Sequence, residues 1–137
     1  MNDLMEKTAL QKRPEQIKEH YLQLIDQHLD ELVHGKVTDM LEIEDFADLM
    51  FIHPTHLSNT IKEISGSSPC GLYQVKILEV AKVLLNDHKQ SIRDIAFLLT
   101  YDPSNFTKWF KRFAGLTPKQ YRQKQLFIRP VTASLGV

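Results

Sequence analysis

The strongest constraint on the fold is an internal repeat of 30 residues. Residues 43–72 align without a gap on residues 92–121, a shift of 49 positions. Eight pairs are identical: Ile43/Ile92, Asp45/Asp94, Ala47/Ala96, Leu49/Leu98, Pro54/Pro103, Lys62/Lys111, Gly66/Gly115 and Pro69/Pro118. Such a chain is expected to build the same supersecondary unit twice.

Each copy predicts a short helix, a tight turn and a second helix that begins at a proline and ends at a glycine. The small Ala47 and Ala96 allow the second helix to cross closely over the first. Apolar residues four positions apart face inward together on each second helix, namely Leu57 with Ile61 and Phe106 with Phe110. This order of elements is the helix-turn-helix plan, which presents the polar face of the second helix outward.

Two longer helices complete the prediction. The first begins at Pro14 and ends at Gly35, with an inward face of residues at three- and four-residue spacing: Ile17, Tyr21, Leu24, Ile25, His28, Leu29 and Leu32. The second joins the repeats from residue 69 to residue 88. It is apolar around almost its whole circumference, which predicts a central strut that is buried on nearly all sides.

The expected fold is therefore all-α, with two helix-turn-helix subdomains joined by a central linker helix in a homeodomain-like bundle of about seven helices. The predicted divisions are an N-terminal tail over 1–13, a double helix-turn-helix domain over 14–126 and a C-terminal tail over 127–137. Within the domain, the first unit covers 40–68, the linker helix 69–88 and the second unit 91–126.

Charge is divided unevenly along a chain whose formal net charge is zero. Residues 1–68 hold six basic and thirteen acidic side chains, whereas residues 69–137 hold eleven basic and four acidic ones. Seven basic residues and no acidic residue follow Asp102. A segment of one sign attracts polyanions by Coulomb steering whatever the total charge. Charge alone leaves both nucleic-acid binding and an asymmetric, solvated surface open.

Several classes are not expected. No apolar run reaches the length of a membrane span, and the polar N-terminus lacks the apolar core of a secretory signal. Cys70 is the single cysteine, so the chain forms no internal disulfide, which suits a reducing, cytoplasmic setting. No phosphate-binding glycine loop, paired catalytic carboxylates or nucleophile with its base is visible, so no enzyme and no cofactor are predicted.

His53 and His56 have the spacing of half a metal site, but no nearby cysteine or further histidine completes it, and no metal is predicted. His53 is instead expected at a helix cap and His56 on an outer face. Trp109 is expected to pack between helices rather than to stack on a base.

The stretch from Ala81 to Arg122 resembles the DNA-binding domain of the AraC/XylS family of bacterial transcription regulators. The motifs that carry the resemblance are Ile95-Ala96, the turn aromatic Tyr101, Ser104 with Phe106, Phe110-Lys111-Arg112, Gly115, Thr117-Pro118 and Tyr121-Arg122. The first copy is similar to the family's weaker first unit, so the resemblance covers about residues 40–125. It implies a bacterial, cytoplasmic, nucleoid-associated regulator, for which activation is the commoner habit.

Three departures from the family pattern stand out. Thr100 occupies the place of the glycine before the turn aromatic, which leaves the geometry of this turn open. The stretch from Tyr101 to Phe106 is one residue shorter than the family's, as in the first copy. Ile77 occupies the place of the arginine that usually opens the linker-helix motif.

The resemblance implies that each second helix enters one of two successive major grooves, about 34–36 Å apart. The outward residues expected to read bases are Thr55, Ser58 and Asn59 in the first unit, and Ser104, Asn105, Thr107 and Lys108 in the second. Asparagine can bond adenine with both amide groups, and lysine can bond guanine. Asn59 and Lys108 are therefore the foremost candidates, with a phosphate contact as the rival role of Lys108.

Six further residues are expected to hold phosphates: Lys62, Lys111, Arg112, Thr117, Lys119 and Arg122. Thr117, like Ser68 in the first copy, opens a helix whose free amides can bind phosphate. Capping or plain solvation is the alternative for these residues.

Double-stranded DNA is the expected partner, and RNA polymerase and a missing or separate sensor domain are further candidates. Most family members carry a ligand-sensing domain for which this chain has no room. The chain is expected to be either a short stand-alone regulator or the DNA-binding part of a longer one. The rival function is a protein-interaction module that keeps the fold and uses its acidic first helix to bind a partner. Such a module would more readily expose apolar residues on its outward helix faces.

Overall fold

Prolines, glycines and short polar side chains set the helix boundaries in the computed structural model, which describes residues 12–125. The helices are α1 Pro14–Val33, α2 Ile43–Leu49, α3 Pro54–Ser65, α4 Pro69–Leu85, α5 Ile92–Leu98 and α6 Pro103–Ala114, followed by α7 over 118–125. Seven helices and no strand in this part of the chain confirm the all-α fold. The predicted tails, apart from residues 12 and 13, lie outside the described residues.

Among the described residues, 12–77 form one compact unit and 78–125 form a second. The division falls inside α4, so the first half of this helix belongs to the first unit and its second half to the other. The first unit thus contains one copy of the repeat together with α1, and the second unit contains the other copy together with the second half of α4.

The first unit is built around Phe46 of α2, which is fully buried. Its ring meets three others edge-on, at centroid distances of 5.6 Å to Tyr21, 5.9 Å to His28 and 5.2 Å to Tyr73. The inward face of α1 packs into the same core and consists of Ile17, Tyr21, Ile25, His28, Leu29 and Leu32. Of the predicted inward residues, only Leu24 is half-buried rather than buried.

The second unit has an aromatic core. Phe106 and Phe110 of α6 are fully buried, as are Ile95, Ala96 and Leu99 around the first helix of this copy. The Phe110 ring packs at 5.6 Å from Tyr121 of α7. The zero exposure of Ala96 and of its counterpart Ala47 fits the predicted close crossing of the two helices in each copy.

The expectation that α4 is buried on nearly all sides is wrong. Val75 is 53% exposed and Val83 69% exposed, whereas the buried stripe consists of Tyr73, Ile77, Ala81, Leu84 and Leu85. Apolar composition therefore overstated the burial of this helix, because only one stripe of it is covered.

The linker helix also ends earlier than predicted, at Leu85 rather than at residue 88. The Asp87 carboxylate accepts a hydrogen bond from the Lys89 amide at 3.0 Å. This local turn competes with the helix for the backbone and stops it. Within residues 12–125, none of the helices combines the length and the apolarity needed to cross a membrane.

Candidate nucleic-acid interface

The turn between the two helices of each copy has the same backbone geometry in both units. Phe51 and Thr100, which occupy matching repeat positions, have left-handed φ values of 58° and 68°. The following amides, those of Ile52 and Tyr101, donate to the carbonyls of Ala47 and Ala96 at 3.1 and 2.8 Å. These bonds close a Schellman-type turn at the end of the first helix and direct the chain into the second. Thr100 therefore adopts the conformation that a glycine would adopt here.

Side-chain caps fix the start of each second helix. The His53 Nδ1 atom accepts from the Thr55 amide at 3.0 Å, which confirms the cap predicted for His53. In α6 the Asp102 carboxylate accepts from the amides of Ser104 and Asn105 at 3.1 and 3.4 Å. These caps satisfy amides that the helix leaves without a partner. Among the described residues, no three His, Cys, Asp or Glu side chains come together as a metal site.

The two second helices are anchored by their inward faces. Leu57 and Ile61 of α3, like Phe106 and Phe110 of α6, have no exposed surface. Burying each of these side chains stabilises the folded state by about 1.5–3 kcal/mol. Because these residues lie four positions apart, they fix which face of the helix points outward.

The predicted base-reading residues lie on the outward side of these helices. Thr55, Asn59, Ser104, Asn105 and Lys108 are exposed, whereas Ser58 and Thr107 are half-buried. The Thr107 hydroxyl donates to the carbonyl of Pro103 at 3.1 Å. Its proton is thus used inside the helix, and the oxygen can act outward only as an acceptor.

Four of the predicted phosphate ligands have exposed side chains, namely Lys62, Lys111, Arg112 and Lys119. The Arg112 guanidinium lies 5.5 Å from the centre of the Phe113 ring. Thr117 caps α7, where its hydroxyl accepts from the Gln120 amide at 3.1 Å and the Gln120 side chain accepts from the Thr117 amide at 2.9 Å. The same role belongs to Ser68, whose hydroxyl accepts from the Gly71 amide at 3.0 Å.

Arg122 requires a correction, because its guanidinium is directed into the protein. The Nε atom donates to the carbonyl of Leu85 at 2.9 Å, and Nη2 donates to those of Asp87 and Gln90 at 3.2 and 2.8 Å. These three bonds hold the end of α4 and the loop that leads into α5. Arg122 is therefore a structural residue in this unit rather than a free phosphate ligand.

Tyr73 has the corresponding role in the first unit, and it was not among the residues predicted from the sequence. It matches Arg122 in the repeat, and its hydroxyl donates to the carbonyl of Leu41 at 3.0 Å. Leu41 in turn matches Gln90, the acceptor of Arg122. Extending the repeat alignment by one residue beyond Leu72 and Tyr121 pairs these two side chains, but a tyrosine opposite an arginine does not by itself predict a shared role.

Trp109 lies in a cluster of rings formed by the turn and by its own helix, whereas it was expected to pack between helices. Its indole is stacked at 5.1 Å on Tyr101 from the turn, and it lies 5.8 Å from Phe113 one turn further along α6. These contacts hold the turn against the second helix, and they give the Trp109 ring a structural role at the edge of the outward face.

Comparison with known proteins identifies the family. A family model described as a helix-turn-helix domain matches residues 46–124. The HTH-type transcriptional activator AarP of Providencia stuartii is 33% identical over 93 residues, which cover 66% of this chain and 67% of AarP. The uncharacterized HTH-type transcriptional regulator YobQ of Bacillus subtilis (strain 168) is 29% identical over 91 residues, which cover 66% of this chain and 38% of YobQ. The match thus spans well under half of the length of YobQ.

The fold is shared with solved structures. The C-terminal domain of AraT, a response regulator from Geobacillus stearothermophilus, superposes with a TM-score of 0.65 at 28% identity and covers 79% of this chain and 84% of its own. The chain therefore belongs to the AraC-type helix-turn-helix family of DNA-binding transcription regulators.

Proposed function

We propose that the protein is a sequence-specific regulator that inserts α3 and α6 into successive major grooves of double-stranded DNA. The observation that carries this proposal is the shared build of the two helices. Each has a fully buried apolar face, a polar outward face and an exposed lysine, Lys62 or Lys111, at the same position near its far end. A recognition helix needs this combination, because base edges are read by polar groups and the neighbouring phosphates by cations.

The chemistry of the outward residues favours base contacts over plain solvation. Asn59 can bond adenine with both amide groups, and Lys108 can bond the acceptor atoms of guanine. The hydroxyl groups of Thr55 and Ser104 lie in the first turn of their helices, the part that approaches base edges in other helix-turn-helix proteins. Lys111, Arg112 and Lys119 would hold the adjacent phosphates.

Activation is the regulatory outcome that we propose. AarP, which shares 33% identity with this chain, is named a transcriptional activator. RNA polymerase is then the expected protein partner, and a sensor domain, carried elsewhere in a longer protein or on a separate one, would supply the signal.

The test is a selection of random duplex DNA with this chain, followed by binding of the selected site at several salt concentrations. A motif of two blocks about one helical turn apart, with affinity that falls steeply as salt rises, supports a regulator in which both α3 and α6 read DNA. No enrichment of any motif, together with weak binding that salt does not change, contradicts it and leaves a protein-interaction module as the function.

A further inference from the structure

The two units carry opposite charges. Residues 12–77 hold six basic and eleven acidic side chains, whereas residues 78–125 hold nine basic and four acidic ones. DNA attracts the second unit and repels the first at long range, because every phosphate carries a negative charge. Two copies of one repeat would thus meet the same duplex with different electrostatics.

The difference is concentrated on the helices that form the predicted interface. The second unit has five exposed cations on α6 and α7: Lys108, Lys111, Arg112, Lys119 and Lys124. The matching positions of the first unit are also exposed, but they hold Asn59, Lys62, Glu63, Cys70 and Val75. Only one of the five cations is therefore kept, and one is replaced by a carboxylate.

The first helix of each copy shows a second reversal. Glu44 near the start of α2 matches Arg93 near the start of α5, and both side chains are exposed. In helix-turn-helix complexes the first helix crosses the DNA backbone, so its exposed charges lie close to phosphates. Glu44 would oppose this approach and Arg93 would support it.

We propose that the two units divide the work of binding, on the basis of the function proposed above. The second unit supplies nearly all of the phosphate contacts, and therefore nearly all of the salt dependence of the affinity. The first unit adds base contacts but few phosphate contacts. It therefore binds DNA only where the site contains the block that α3 reads, at the correct distance from the block that α6 reads. A site in which this block is poor is held by the second unit alone.

The decisive experiment compares three duplexes: the selected site, the site with the block read by α3 scrambled, and the site with the block read by α6 scrambled. Asn59→Ala and Lys108→Ala assign each block, since each relaxes the preference in one of them. Affinity is measured by fluorescence anisotropy at several salt concentrations. Each phosphate contact contributes about 0.9 to the slope of log affinity against log salt.

Scrambling the α3 block is expected to leave that slope within about one phosphate contact of its original value. Scrambling the α6 block is expected to cost more affinity and to remove specific protection of both blocks in a footprint. Equal losses for the two scrambled sites, or a larger loss for the α3 block, would overturn the division of work.

A charge-transfer variant tests the cause. Glu44→Arg with Glu63→Arg gives the first unit the residue types that the second unit already carries at those positions, so the fold accommodates them. We expect a higher affinity for all DNA sequences and a slope of log affinity against log salt that is steeper by up to about 0.9 for each new phosphate contact. An unchanged slope would contradict the electrostatic explanation.

The matched control is Glu15→Arg with Glu19→Arg on α1, which makes the same change of charge elsewhere on the first unit. Both side chains line a groove together with Ile64. Ile64 lies two residues beyond Lys62, roughly 200° around α3, so the groove is on the side away from the predicted phosphate contact. A slope that steepens equally in the control would assign the effect to net charge rather than to position.

Failure of this inference is distinguishable from failure of the proposed function. A selected motif whose two blocks contribute equally to affinity is consistent with DNA reading by both α3 and α6, but it rejects the division of work between the units. The absence of any selected motif rejects the proposed function itself.

Discussion

Among the described residues other than glycine, only Phe51 and Thr100 have a left-handed backbone, and they occupy the same position in each repeat. This conformation costs an ordinary residue about 1 kcal/mol or more because Cβ crowds the neighbouring carbonyl. The turn bonds from Ile52 and Tyr101 hold it in place. The strain is therefore stored in the turn that directs each second helix.

Thr100→Gly is expected to stabilise the protein by about 0.5–1 kcal/mol, since glycine relieves the strain but adds freedom to the unfolded chain. The urea midpoint of unfolding measures this gain. Thr38→Gly is the control, because Thr38 is exposed and has no positive φ. That control should lose stability by a similar amount, and a loss in both variants would show that the left-handed turn stores no relievable strain.

His28 is a buried histidine that is held neutral. Its Nε2 atom accepts from the Leu41 amide at 3.0 Å. Burial lowers the pKa of His28 from its ordinary value of 6.5, and the nearby Glu31 and Asp45 oppose that shift only in part. Protonation would remove the acceptor and leave the Leu41 amide without its bond.

The unfolded chain therefore binds the proton more tightly than the folded one at this site. The stability that neutral His28 provides is present above pH 6.5 and is lost as pH falls below it. Unfolding by urea between pH 7.5 and 5.5 should show this loss. His28→Gln, whose amide oxygen can accept the same bond without titrating, should show a smaller loss. Burial and Lys12 also lower the pKa of His20, so His20 should contribute to the loss that remains. An equal loss in His28→Gln would rule His28 out as the source.

At the scale of the element, Tyr73 ties α4 to Leu41, two residues before α2, and Arg122 ties α7 to the segment that ends at Gln90, two residues before α5. Arg122→Ala removes the donors for the carbonyls of Leu85, Asp87 and Gln90, and we expect it to destabilise the protein by about 1–3 kcal/mol. Its effect on the salt slope of DNA binding should be negligible. Lys119→Ala on the same helix is the comparison, since it should lower the slope by about 0.9 and leave stability unchanged. If Arg122→Ala lowers the slope in the same way, its guanidinium holds a phosphate after all.

Most helix boundaries could be predicted from the sequence because they depend on local chemistry, although the turn at Asp87 that ends α4 at Leu85 was not foreseen. Helix starts are capped by the side chains of Ser91, Asp102 and Thr117, which bond amides two or three residues further on. Helices end in the left-handed conformation at Gly66 and Gly115. The repeat then predicted which faces of α3 and α6 turn inward, because residues four apart share a face.

The other features that could not be predicted depend on contacts between distant parts of the chain. Val75 and Val83 resemble the buried residues of α4 in every local respect, and only the packing around the helix shows that they are exposed. Arg122 resembles a phosphate ligand in sequence, and only its distance to three backbone carbonyls identifies it as structural. The assignment of base-reading and phosphate-binding residues stays a prediction.

At the scale of the whole molecule, two DNA-reading helices on one chain, as proposed above, would gain specificity because their base contacts would contribute to one binding event. Separate positions of a site add nearly independently to the free energy of binding, whereas phosphate contacts strengthen binding to every sequence alike. Variants at base-reading positions should therefore change the sequence preference, whereas variants at phosphate-contacting positions should change the affinity for all sequences alike.

Asn59→Ala and Lys108→Ala are each expected to weaken binding to the selected site by about 1–3 kcal/mol and to relax the preference within one block. Lys111→Ala, one turn from Lys108 and also exposed, should instead weaken binding to selected and random duplexes by the same factor and lower the salt slope by about 0.9. Affinities for both duplexes at several salt concentrations separate these outcomes. If Asn59→Ala and Lys108→Ala lower both affinities equally, these side chains contact the backbone, and the helices lie in the grooves with another face toward the bases.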